Sequence, residues 1–201
     1  MISTDLLEYE NELTAYGHTL IAGIDEAGRG PLAGPVVACA VILPVGLIID
    51  GVNDSKKVSE KKRTLLYEII QDAAIAYAFG IVDEAMIDRM NILQATLLAM
   101  QLAVNQLSPA PAIALVDGTT KPILPCQAMC IAQGDSKSHT IAAASILAKV
   151  KRDSIMMALH EQLPQYDFAK HKGYGTKAHR EAIAAHGLSP HHRRSFCRAF
   201  I

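Results

Sequence analysis

No uncharged apolar run in this chain approaches the ~20 residues that a membrane-spanning helix needs; the longest are of strand length or are broken by Gly and Pro. The opening stretch, MISTDLLEYENEL, is acidic and amphipathic and lacks the basic and apolar regions of a secretory signal. The four cysteines, Cys39, Cys126, Cys130 and Cys197, lie in apolar or strand-like surroundings with no CxxC spacing. They read as reduced, buried thiols of a cytoplasmic protein, not as a disulfide framework. Neither a GxGxxG nor a Walker A sequence occurs, which argues against a Rossmann-like nucleotide-binding enzyme. There are no internal repeats, low-complexity tracts or linkers.

With 201 residues, half of them apolar, the chain can build one sizeable core and is short for two. Its net charge is −1 but unevenly spread. Residues 1–100 carry 7 Lys/Arg against 14 Asp/Glu, whereas residues 101–201 carry 12 against 6 and seven of the eight histidines. Such asymmetry fits an acidic site on one part of the chain and a polyanion-facing surface on another, although segregated solvated faces produce the same counts.

Hydrophobic patterning predicts an α/β chain. A short amphipathic helix over 6–13 precedes an Ile-rich buried strand over 19–28 and a second strand over 34–44 closed by proline. The short Gly/Pro turn between these strands makes an antiparallel hairpin the natural pairing. A helix over 59–74 with Ser59 as N-cap, a strand over 74–82 and a long helix over 83–107 opening on acids follow. Strands over 111–118 and 126–135 lead to a helix over 138–163 whose first half is apolar enough to be buried on most sides. A shorter helix over 176–187 is stopped by Gly187 and Pro190. This order predicts a five-stranded mixed sheet flanked by helices.

Three predicted strand ends carry acids: Asp25 and Glu26 in GIDEAG, Asp117 in LVDG and Asp135 in QGDSKSH. Sites in open α/β sheets gather outside the strands' carboxyl ends, and carboxylates brought together there repel unless cations neutralise them. Hard oxygen donors without a nearby Cys/His set favour Mg²⁺ or Mn²⁺ over Zn²⁺. A single acid at a strand end is more often a turn former or helix cap, but three on consecutive sheet elements favour a metal site. Successive strand side chains point to opposite faces, so Asp25 and Glu26 share one site only where the strand ends or bends. The glycines that follow supply that bend. Asp25 is the firmer direct ligand, with Glu26 at the edge of the site.

The stretches IDEAGRGPLAGPVV, NDSKKVSEKKR, MNILQATLLAM, LVDG, GDSKSHTIAAASILAKVKRD and HKGYGTKAH, followed by HGLSPHHRRSF over 186–196, resemble bacterial ribonuclease HII in that family's order and over nearly the whole chain. About eighteen residues precede the first strand, and Arg29 stands in the glycine motif. Both features fit type HII better than type HIII, whose members carry an additional N-terminal substrate-binding domain. The resemblance implies an RNase H-like fold with a small C-terminal helical segment, and a single catalytic domain over 1–201. It implies endonucleolytic hydrolysis of the RNA strand of RNA/DNA hybrids. It also implies incision 5′ of single ribonucleotides embedded in duplex DNA, leaving 3′-OH and 5′-phosphate ends. The family's four carboxylates fall on Asp25, Glu26, Asp117 and Asp135. Two Mg²⁺ or Mn²⁺ ions held there would activate a water for in-line attack and stabilise the departing 3′ oxygen.

Gly28, Arg29 and Gly30 match the family's ribose-sensing motif, whose bare backbone can read a 2′-OH that both donates and accepts. Tyr174 matches the tyrosine that the family stacks on the neighbouring sugar; taken alone, a Tyr is more often a core residue. Lys56 and the Ser136–Lys137 pair are expected to contact phosphates. The segment from about 166 to 201 is helical and basic, with seven Lys/Arg, one acid and five His between Lys170 and Arg198. It reads as a backbone-binding surface that gives affinity without sequence preference. His171, His179 and the His191–His192 pair fit no standard zinc spacing and are expected at the surface or beside phosphates. Asp153 is expected in an ion pair or on the helix surface. No terminal Gln-plus-paired-aromatic pattern of the kind that binds a sliding clamp is present. The expected partners are RNA/DNA hybrids and ribonucleotide-containing duplex DNA, with no membrane and a monomeric protein. Two other readings remain: a junction-resolvase-type nuclease of RNase H-like fold, and a nucleic-acid-binding module without turnover. The intact acid set argues against the second, because carboxylates without metals only repel phosphates.

Overall fold

The two apolar runs on either side of the Gly/Pro turn form the expected hairpin, β1 (Ile21–Ala27) paired antiparallel with β2 (Val36–Ile42). This computed structural model describes residues 4–55 and 58–200. β3 (Ala76–Val82) pairs antiparallel with β2, while β4 (Ile113–Asp117) and β5 (Gln127–Ile131) run parallel on the far side of β1. The five-stranded sheet therefore has the order β3-β2-β1-β4-β5. Every residue of β2 is buried, because helices cover both faces of the sheet's centre.

The strand period of two sorts the core into these faces. Ala22 and Ile24 of β1, with Val36, Ala38, Ala40 and Ile42 of β2, pack against Ala95, Ala99 and Ala103 of α3 (Glu84–Asn105). On the other face Cys39 and Val41 meet Ala143, Ile146 and Leu147 of α4 (His139–Gln162) and Leu66 and Ile70 of α2 (Glu60–Ala73). The predicted helix over 83–107 is interrupted. Asn91 adopts φ 70°, and its side-chain oxygen accepts from the Gln94 N–H at 3.1 Å, capping the second half afresh.

Two local devices seat α4. Its N-cap Ser138 accepts from the Ile141 N–H. Glu10 of α1 (Glu8–Ala15) accepts from the Ser138 hydroxyl at 2.6 Å and the Thr140 N–H at 3.0 Å, placing a carboxylate where the helix dipole favours it. Beneath this end lies Gly23, where a Cβ would fall 2.3 Å from the Thr140 carbonyl carbon. The helix thus lies on β1 at a distance that a side chain would forbid.

The C-terminal segment holds α5 (Phe168–His171) and α6 (Lys177–His186) around a satellite core of Ala33, Met156, Leu159, Tyr166 and Phe168. It then returns to the β1–β2 loop, where Ala33 bridges His192. No helix among the described residues is long and apolar enough to cross a membrane.

Gly23→Ala should lower the unfolding free energy by about 1–3 kcal/mol through overpacking against α4, measured by urea denaturation. A wild-type midpoint for this variant would show that the helix does not rest on this contact.

Candidate active site

Ile24 pairs with Val116, so Asp25 and Asp117 come next in register on neighbouring parallel strands. Asp25 is buried, faces α4 and accepts a hydrogen bond from the Ser145 hydroxyl. Glu26 belongs to the opposite side of the pleat, but β1 is all but finished there. Gly28 turns the chain away with φ +99°, leaving Glu26 at the rim where the two faces meet. Carboxylate oxygens of Asp25, Glu26 and Asp117 consequently lie within 4.8 Å of one another. The Glu26 N–H donates to Asp25 Oδ1 at 2.7 Å, the Gly134 N–H donates to Asp117 Oδ1 at 2.6 Å, and Arg29 Nη1 stands 3.4 Å from Glu26 Oε1.

Burial pushes the Asp25 carboxyl well above its ordinary range, reinforced by the charges of Glu26 and Asp117; the Glu26 N–H and Ser145 hydroxyl oppose the shift without reversing it. Three crowded carboxylates with oxygen donors only suit a hard divalent cation, which would relieve the repulsion that burial amplifies. Asp135 is carried by a different element. β5 ends at Ile131, short of the predicted strand end, and Asp135 lies buried in the 3₁₀ turn Gly134–Ser136 that precedes α4.

The acids form a ridge between two grooves. One, of about 260 Å³, is bounded by Asp25, Gly28, Gly30, Ser145, Lys149 and Tyr174. The other, of about 230 Å³, lies between α3 (Thr96, Met100) and the loops bearing Asp117, Thr119 and Gln133. Glu26 and Arg29 line both. Lys149 reaches the first groove's wall while paired with Asp153 at 2.8 Å, the ion pair expected for Asp153. The hydroxyls of Ser145 and Ser55 are 2.8 Å apart, tying the loop before α2 to the same helix.

The two glycines flanking Arg29 differ in kind. Gly28 combines its positive φ with a Cβ position only 2.1 Å from Arg152 Nε, so the fold itself demands glycine. At Gly30 a Cβ would meet only Tyr174 Cε1, at 3.7 Å, an ordinary contact. Gly30 and the 45% exposed Tyr174 thus lie close together on the wall of the first groove. Ser136 and Lys137 are exposed and donate to the carbonyls of Gln133 and Ala132 in their own turn. Lys56 lies outside the described residues.

The histidines correct the sequence reading. His171, His179 and His192 are 7%, 0% and 2% exposed, not surface groups. The Ser189 N–H donates to His192 Nδ1 at 2.9 Å, which leaves the neutral ring's proton on Nε2, facing His179 Nε2 at 3.0 Å. His179 in turn donates from Nδ1 to the Tyr174 carbonyl at 2.9 Å; the tautomers follow from this network. The Gly173 N–H donates to His171 Nδ1 at 3.2 Å. Neutral imidazoles therefore hold the backbone that presents Tyr174. Burial, and then the neighbouring His179, lowers His192 to about 4.

Arg193, counted above in the basic surface, is fully buried, as is Arg152. Lys170, Lys177, Arg180, Arg194 and Arg198 do stand exposed. Arg152 could have been found from periodicity, since it falls on the buried stripe Ala148–Arg152–Met156–Leu159. Nothing in the local pattern separates buried Arg193 from exposed Arg194.

The strand order β3-β2-β1-β4-β5 with acids clustered at the carboxyl ends of β1 and β4 fits a metal-dependent nuclease of RNase H-like fold. The sequence model of the Ribonuclease HII family matches residues 22–199. Ribonuclease HII of Acetivibrio thermocellus is 53% identical over 193 residues, covering 96% of this chain and 75% of that protein. The crystal structure of ribonuclease H2 from Pyrococcus horikoshii superposes with a TM-score of 0.74 at 27% identity, covering 90% of this chain and 96% of that one. The Archaeoglobus fulgidus RNase HII, solved in complex with PCNA, gives 0.71 at 28% identity, covering 87% and 93%. The chain belongs to the ribonuclease HII family, and it is an endoribonuclease acting on RNA/DNA hybrids.

Two predictions follow from the charges. The raised Asp25 binds its proton more tightly in the native than in the unfolded chain, so its contribution to stability is present at low pH and lost as pH rises. Asp25→Asn should therefore raise the melting temperature of the metal-free protein at neutral pH by about 2–4 °C per kcal/mol relieved, while abolishing stabilisation by added Mn²⁺. A metal-free variant no more stable than wild type would contradict the crowding described. His192 has the opposite sign. Its depressed value makes the unfolded chain bind more protons between about 4 and 6.5, so stability is full above this window and falls as pH drops through it. Urea midpoints measured from pH 7.5 to 4.5 should decline, and His192→Gln should flatten the decline.

Proposed function

We propose that this chain incises duplex DNA on the 5′ side of single embedded ribonucleotides as well as cutting the RNA strand of hybrids, leaving 3′-OH and 5′-phosphate ends. The observation that carries this reading is the three-carboxylate ridge standing beside a groove that Gly28, Arg29, Gly30 and Tyr174 line together. Divalent ions, Mg²⁺ or Mn²⁺ and two in the active complex, would supply an activated water and charge neutralisation at the departing 3′ oxygen.

Asp25, Glu26 and Asp117 are the residues to hold them, with Asp135 as a fourth carboxylate offered by the turn before α4. Asp25 is kept in aim by the Ser145 hydroxyl and the Glu26 N–H. The sugar of the ribonucleotide would lie in this groove, with the Gly28–Arg29–Gly30 backbone reading its 2′-OH and Tyr174 packing on the adjoining sugar. Lys149, in the same groove wall, offers its ammonium to a phosphate, a role also assigned to Lys56, Ser136 and Lys137. The exposed cations of residues 166–201 would add salt-dependent, sequence-independent contacts to the nucleic-acid backbone. We assign a single catalytic domain acting as a monomer. Four free cysteines favour a reducing, cytoplasmic setting.

With Mg²⁺ or Mn²⁺, the protein should cut a duplex holding one ribonucleotide and leave the all-DNA duplex intact; equal cutting of both would identify a different nuclease of this fold. Gly30→Ala should melt like wild type, because its Cβ meets no close neighbour. It should nevertheless lose about tenfold or more in kcat/KM by placing a methyl group in the groove where the sugar approaches the backbone. A fully active Gly30→Ala would remove the sugar from this part of the groove.

A further inference from the structure

Arg193 lies beneath the β1–β2 loop and directs four hydrogen bonds at its backbone. Nη2 donates to the Gly28 carbonyl at 2.6 Å, Nη1 to the Arg29 carbonyl at 3.0 Å, and Nε and Nη2 to the Gly34 carbonyl at 2.9 and 2.7 Å. Burying a guanidinium is costly unless its donors are satisfied. Here one rigid fork is satisfied by both ends of the loop at once, a geometry that a lysine ammonium cannot copy.

The tail is itself held in place. The Arg193 N–H donates to the Leu32 carbonyl, and the Gly34 N–H donates to the His191 carbonyl. Asp88 of α3 accepts from the Arg194 and Ser195 N–H groups at 2.8 and 3.0 Å.

In a trans peptide the N–H points opposite to the C=O. Carbonyls of Gly28 and Arg29 turned inward therefore leave the Arg29 and Gly30 N–H groups turned outward, toward the groove shared with Tyr174. We propose that Arg193 is the positioning residue of ribose recognition: its guanidinium fixes this pair of N–H groups as donors to the substrate 2′-OH. The inference rests on reading that groove as the ribose site. Arg152 packs under Gly28, but its hydrogen bonds go to the Ala33, Pro35 and Lys172 carbonyls and not to the Gly28 or Arg29 carbonyl.

The test compares kcat/KM, with Mn²⁺, on a duplex holding one ribonucleotide and on the same duplex holding the arabinonucleotide, whose hydroxyl lies on the opposite face of the sugar. Wild type should prefer ribose strongly; a wild type without that preference would refute the ribose reading itself, separately from Arg193. Arg193→Lys keeps the charge but loses the fork. It should cost about 100-fold on the ribonucleotide, the scale of an ångström-sized misplacement, and collapse the ribose-to-arabinose ratio. Calorimetric Mn²⁺ affinity should stay at the wild-type value, because the carboxylates are untouched. An unchanged ratio, or equal losses on both substrates with weakened Mn²⁺ binding, would reduce Arg193 to a fold-stabilising residue and overturn the proposal. If Arg193→Lys does not fold, Asp88→Asn loosens the same tail without altering Arg193, and its ratio decides. A lowered ratio supports positioning, and a wild-type ratio overturns it.

Discussion

The contact between α4 and β1 at Gly23 is the one on which the rest of the site depends. Because no side chain intervenes there, the helix runs directly over the strand that carries Asp25. The 3.6-residue period then distributes its functional groups. Ser145 meets Asp25, Lys149 enters the groove wall one turn later, and Arg152 fills the space under Gly28. A displacement of α4 would move all three together, which is why its N-terminus is secured twice, by Ser138 and by Glu10 from the opposite end of the chain.

Charge is handled in two ways on this scaffold. The acids are crowded at the strand ends with their repulsion left for a cation to relieve, so the apo state carries strain that serves binding. The buried cations are instead satisfied locally, by backbone carbonyls whose partial charges are fixed in direction. Between these lies the histidine chain, which works only while neutral: a proton added to His179 Nε2 would set two donors against each other across 3.0 Å, and one added to His192 Nδ1 would oppose the Ser189 N–H. Asp25 favours acid and His192 opposes it, so the metal-free fold is pulled in both directions as pH changes.

How much of this was legible in the sequence depended on whether the signal was local. Strand and helix positions followed from periodicity, and the convergence of Asp25 with Asp117 followed from their places at the ends of parallel strands. Glu26 posed a geometric difficulty that only register and the Gly28 turn resolve, since a residue on the far face can join a site at a strand's last pleat. The break in α3 has no local sequence signal, because Asn91 sits in an otherwise good helical sequence and its cap is visible only as a backbone angle. Asp135 was placed at a strand end because apolar character runs on past Ile131, where pairing stops. The buried histidines and Arg193 are hidden from the sequence for a different reason. Polar residues in a basic tail look solvated until the partners that bury them are known, and those partners lie far away; Arg193 reaches Gly28 across 165 positions of sequence.

That separation bears on how the site divides its labour. Arg29 takes part in both halves: its guanidinium leans on Glu26 at 3.4 Å while its carbonyl is held from below by Arg193. The side chain therefore belongs with the candidate metal-binding acids, and the peptide belongs with the proposed ribose groove. Reading a hydroxyl with backbone rather than side chain removes rotamer freedom from the recognising group, but only if something else immobilises the peptide. The loop's own glycines cannot do so, since flexibility is what they contribute. The rigidity has to come from outside the loop, and the buried fork of Arg193 is the group placed to supply it.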